Sequence, residues 1–108
     1  MYVEGALPEA RDMISIEDII AFSGLSRDEI LAIAEHEHMP EVAACALADC
    51  LMQQDRGPQR IREMIVDDIG VAQERGDREH VQALTHVLHE FVRAHPEALP
   101  ISRRKNVS

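Results

Sequence analysis

Apolar residues recur along this chain at helical spacing between short polar breaks, and the pattern predicts five helices between residues 15 and 96. Ser15, followed three residues later by Asp18, has the form of an N-cap. Ile16, Ile19, Ile20 and Phe22 can then make one side of a short first helix that Gly24 would end. Two turns cannot stand alone, so that side must be covered by another element. Ser26 and Glu29 form a capping-box pattern, with Leu25 placed to staple onto Ile30 or its neighbour. Ile30, Leu31, Ile33 and Ala34 supply the buried stripe of a second helix running to Glu37 or His38. Pro40 restricts Met39 and suits the first turn of a third helix, so a tight corner is expected between them.

The third helix, residues 40–54, carries Val42, Ala43, Ala46, Leu47, Cys50, Leu51 and Met52 as its apolar set. Its small side chains would let neighbours approach closely, which predicts a place near the centre of the bundle. Asp55-Arg56-Gly57-Pro58 reads as a stop followed by a new start. The fourth helix, residues 58–74, would turn Ile61, Met64 or Ile65, Ile69 and Ala72 inward. Gly70 costs that helix about 1 kcal/mol of propensity, an expense that a close helix contact would offset. Gly76 is the expected terminator and Asp77 the next N-cap. The fifth helix follows over residues 78–94, with Val81, Leu84, Leu88, Phe91 and Val92 on one face. Pro96 ends it, and Pro100 opposes a further regular helix.

These segments predict a single all-α domain over residues 15–96, a compact bundle of about five short helices. The short first helix and the proline corner favour an orthogonal or irregular arrangement over a regular four-helix bundle. Residues 1–14, with weak periodicity and with Gly5 and Pro8, are expected to be a weakly structured lead-in. Residues 97–108 are expected to be a mobile tail that carries Arg103, Arg104 and Lys105. At 108 residues the chain has room for one core, not two.

Composition changes the functional picture more than the fold. Only 3% of residues are aromatic, namely Tyr2, Phe22 and Phe91, so few anchors exist for a sugar, nucleobase or flavin pocket. The chain is acidic, with a formal charge of −9, and the charge is uneven: residues 1–55 hold twelve acids and two bases, residues 56–108 eight acids and nine bases. A phosphate backbone would be repelled by the first half. Cys45 and Cys50 lie about 140° apart around their helix, which suits neither a disulfide nor a C-x-x-C site. Both read as small buried hydrophobes of a reducing compartment. The first ten residues lack the pattern of a secretory signal, and no window approaches a membrane span, so a cytoplasmic protein is expected.

The densest group of potential ligands is Glu35, His36, Glu37, His38 and Glu41. Glu35 and His38 share a helix face in the Glu-x-x-His spacing used by di-iron carboxylate bundles, which need a second such element that this chain lacks. A metal site would have to join Glu35, His38 or Glu41 to His86, His89 or Glu90, and such a set suits zinc, iron or manganese. The competing reading makes His86, His89 and Glu90, with Glu79, Gln82 and Arg93, the solvent side of the fifth helix. It leaves His80 and His95, nearer the apolar side, as packing or hydrogen-bonding groups. No cofactor is expected on that reading.

Over residues 16–33 the positions of Ile19, Gly24, Leu25, Ile30 and Ile33 resemble the buried residues and turn glycine of a helix-turn-helix. That resemblance implies a DNA-binding regulator whose recognition helix starts at Ser26. The helix would then present Arg27, Asp28, Glu29, Ala32 and Glu35, whereas positioning on phosphates calls for Lys and Arg. Glycine-rich phosphate loops and nucleophile elbows are absent from the sequence. The expectation is therefore a helical protein-interaction or accessory domain, more a binding module than an enzyme, that forms a homodimer and meets a protein partner. A carboxylate/histidine metal protein and a DNA-binding regulator are the alternatives.

Overall fold

The structure, a computed structural model, describes residues 15–99, except for the side chains of Ile16, Glu17, Ala21 and Phe22. Five α-helices make up this part: α1 (Ile16–Ser23), α2 (Arg27–Glu37), α3 (Glu41–Met52), α4 (Gly57–Arg75) and α5 (Arg78–Ala94), followed by a 3₁₀ turn, Pro96–Ala98. No strand occurs among the described residues, and the fold is an all-α compact bundle. The lead-in at residues 1–14 and the tail beyond residue 99 lie outside the described residues.

Side-chain caps set the starts of α1, α2 and α5 where the sequence placed them, whereas α3 and α4 follow Pro40 and Arg56 without one. Ser15 and Ser26 each accept a hydrogen bond from the backbone N–H three residues on, at 3.1 Å, and Asp18 and Glu29 reach back to close both capping boxes. Asp77 accepts from the His80 N–H to start α5. Gly24 and Gly76 end α1 and α4 in the left-handed region, as expected of terminators. α2 ends differently. His38 takes the left-handed conformation, and the Met39 N–H closes onto the Ala34 carbonyl at 3.1 Å, so the turn into Pro40 is made without glycine.

α2 and α4 form the centre of the bundle. α2 packs on α3, α4 and α5, while α4 also packs on α3, α5 and the 3₁₀ turn. Ile30 and Ile33 of α2, Ile61 and Ile65 of α4, and Phe91 of α5 are fully buried at their meeting. α1 rests on α3 and contributes Ile20, with Ile19 partly covered; the side chains of Ile16 and Phe22 are outside those described. The core extends past residue 96, where the tail was expected to start. Ala98 is fully buried and its carbonyl accepts a hydrogen bond from Arg62 Nε at 3.1 Å.

Leu31, expected in the buried stripe of α2, is 43% exposed, and three further expectations about packing need correction. α3 buries Ala44, Cys45, Ala48 and Leu51, packs Leu47 and Met52 partly against the core and exposes Val42, Ala43, Ala46 and Cys50, so its inward face is rotated away from the expected one. Alanine and cysteine surround α3 on all sides, and a helix apolar all round carries no stripe to fix its rotation. Of its two thiols only Cys45 is buried, and its pKa is pushed up from the ordinary value by burial and by the charges of Glu41 and Asp49. Gly70 has no compensating contact, because a Cβ built there meets nothing within 4 Å.

The tight glycine is Gly57. A Cβ there would stand 1.4 Å from the Leu51 carbonyl oxygen, so the first turn of α4 crosses the end of α3 too closely for any side chain. Gly57→Ala is therefore expected to lower the thermal midpoint clearly, whereas Gly70→Ala should raise stability by up to about 1 kcal/mol. Thermal denaturation followed by circular dichroism checks both, and equal effects of the two substitutions would contradict the packing described.

Candidate functional site: the seam of α2, α4 and α5

α2 and α5 run antiparallel, with Asp28 near His86 and Val87 at one end and Glu35 beside His80 at the other. Asp28, Leu31 and Glu35 fall on one row of α2, at i, i+3 and i+7, and Glu79, Ala83 and His86 fall on one row of α5. A groove of about 530 Å³ lies between these rows, with Ala32, Leu84 and Val87 also in its wall. It continues past Asp28 and His86 into a second depression of about 350 Å³ beside Glu29, Glu90 and His95. At its other end, a depression of about 800 Å³ is lined by Ala34, Met39, Val71 and Arg75 and shares Glu35 and His80 with the groove.

Glu35 and His80 form the ridge between those spaces. His80 Nε2 donates to Glu35 Oε1 at 2.8 Å, joining α2 to α5. One residue further along α2, His36 faces α4. Its Nε2 is 3.2 Å from Asp67 Oδ2 and its Nδ1 is 2.9 Å from Glu37 Oε2. Two ring nitrogens set against two carboxylates can both donate only as an imidazolium. Burial opposes that charge, but the hydrogen bonds with Glu37 and Asp67 and the nearby Asp68 outweigh it, and the His36 pKa is raised.

Asp68 lies between the two pairs. It is 4% exposed, and its Oδ2 is buried with no hydrogen-bond partner among the described residues. Burial raises its pKa most; Glu35 and Asp67 raise it further, and His36 and His80 act in the opposite sense, leaving it pushed up to about 6. No motif or ligand spacing in the sequence includes Asp68. Its signal was positional: Asp68 falls on the inward row of α4 with Ile61, Met64, Ile65 and Ala72, where an acid has no solvent to face.

The residues proposed for a metal are spread over separate contacts. Glu35 bonds to His80, Glu41 pairs with Arg27 (Nε to Oε2, 2.8 Å), and Glu90 pairs with Arg93. His38 is exposed at the α2 terminus, and His86 and His89 are exposed on α5. Among the described residues no group of three or more His, Cys, Asp or Glu side chains is arranged to hold a metal ion. His95 stacks against Phe91 with ring centroids 4.9 Å apart, and its Nδ1 lies 3.6 Å from Glu97. The helix that would read DNA, α2, is packed on by three other helices and turns Asp28, Leu31 and Glu35 outward. No helix among the described residues is long and apolar enough to cross a membrane. No family profile, curated protein or solved structure matches the chain.

The two raised pKa values act on stability in the same direction. Between the ordinary 3.8 of an unfolded Asp and about 6, the folded chain keeps a proton on Asp68 that the unfolded chain has lost. Stability therefore falls as the pH rises through that window, and the ionised side chain costs on the order of 3 kcal/mol above it. The His36 contribution is complete below 6.5 and is lost as the pH rises through its higher folded value. Denaturant unfolding should show the protein more stable at pH 5 than at pH 8, by about 1–2 kcal/mol from Asp68 alone. Asp68→Asn should remove most of that slope and gain stability at pH 8. An unchanged slope in this variant would contradict the assignment.

Proposed function

We propose that this protein is a helical protein-interaction or accessory domain, and that the groove between α2 and α5 is the surface it offers. The observation that supports this reading is Leu31, a leucine left 43% exposed in the middle of the acidic row Asp28–Leu31–Glu35, above the apolar wall of the groove. Covering the rest of such a side chain gains roughly 1 kcal/mol, which a docked partner would collect. Grooves between paired helices are a recurring seat for a further helix.

Self-association forms part of the same reading. Val66 is 41% exposed on the solvent face of α4, apolar surface that a second copy would cover. A homodimer at micromolar concentration is the expected state, measured by sedimentation equilibrium, and Val66→Asp should convert it to a monomer of unchanged helicity. A wild-type protein that is monomeric under these conditions would remove the homodimer. Leu31→Gln should change stability by no more than about 0.5 kcal/mol, because Leu31 serves the surface. A large loss of stability would return Leu31 to the core and withdraw the groove as a binding face.

A further inference from the structure

We infer that the occupant of the α2–α5 groove is a basic amphipathic helix of a partner protein, an inference that rests on the groove being an interaction surface. The argument is one of charge and length. Asp28, Glu35 and Glu79 rim the groove, Leu31 and Ala83 lie between them, and its lining contains no Lys or Arg. The adjoining depression adds little to this charge, because Glu29 is buried with its carboxylate accepting from the Ser26 N–H and Glu90 is paired with Arg93, so the acidic character rests on Asp28, Glu35 and Glu79.

From Asp28 to Glu35 the row measures about 10 Å along the helix, the distance between positions i and i+7 of a docked helix. Two turns of an incoming helix can thus set apolar residues at i, i+3 or i+4, and i+7 against Leu31, Ala83 and the wall beneath them. Its flanking positions then stand over carboxylates on both sides. Lysine or arginine there meets complementary charge, and glutamate or aspartate meets like charge. The same reasoning disfavours a second copy in this position. A two-fold contact through the groove would set Asp28, Glu35 and Glu79 against their own counterparts on a chain of net charge −9.

The test uses the full chain, labelled with ¹⁵N, and a synthetic amphipathic helix of leucine and lysine. Two control peptides accompany it: the same helix with glutamate for lysine, and one of equal composition with the leucines scattered. The lysine helix should shift the amide signals around Leu31, Ala83 and His86, and its affinity should fall as salt is raised. Asp28→Asn and Glu79→Gln should each weaken it by roughly two- to five-fold. Equal binding by either control peptide, or shifts centred elsewhere, overturns the inference. Failure of the lysine helix to bind, together with shifts of the same amides on dilution of the protein alone, assigns the groove to a second copy and leaves the interaction reading standing. If neither peptide nor dilution moves these signals, both are overturned.

Discussion

The burial of Ile30 and Ile33 at the meeting of α2 with its neighbours is the constraint on which the remaining structure depends. An eleven-residue helix has too little intrinsic stability to persist alone, so α2 exists because α3, α4 and α5 cover it. That coverage fixes its rotation. Once Ile30 and Ile33 point inward, Leu31 and Glu35 must emerge along the α5 seam and His36 along the α4 seam. The groove, the Glu35–His80 ridge and the His36–Asp67 contact are thus consequences of one packing decision.

The same decision accounts for the strained group. Asp68 shares the inward row of α4 with Ile61, Ile65 and Ala72, so seating those side chains carries a carboxylate out of water with them. Two His–carboxylate pairs surround it, and the histidines offset part of the repulsion from Glu35 and Asp67. The balance is unfavourable at neutral pH and eases when a proton arrives. A buried acid whose pKa is raised makes the folded state less stable as the pH rises.

Much of the fold was legible because local signals agreed with one another. Ser26 with Glu29, and Asp77 with the stripe Leu84–Phe91, placed α2 and α5 closely; Gly24 and Gly76 marked true ends. α3 was misread in rotation because Ala43, Ala44, Cys45 and Ala46 offer no polarity contrast, and only long-range packing chooses among them. Gly57 and Gly70 look alike in sequence, yet one faces the Leu51 carbonyl and the other open space, a difference set by tertiary contact alone. At the site, the sequence exposed the chemistry of Glu35 and the role of His80 as a hydrogen-bonding group. It did not pair them, because residues 45 positions apart meet only through topology. Asp68 was within reach of pattern reading, since an acid in register with buried isoleucines departs from the helix's own polarity.

Native-state hydrogen exchange measured residue by residue tests most directly whether α2 is the element that holds the bundle together. The amides of Ile30 and Ile33 should exchange only by global unfolding, with the same opening free energy as those of Ile61, Ile65 and Phe91. Local opening of α2, with its amides exchanging far faster while α4 and α5 stay protected, would contradict this description of the fold and of every contact built on it.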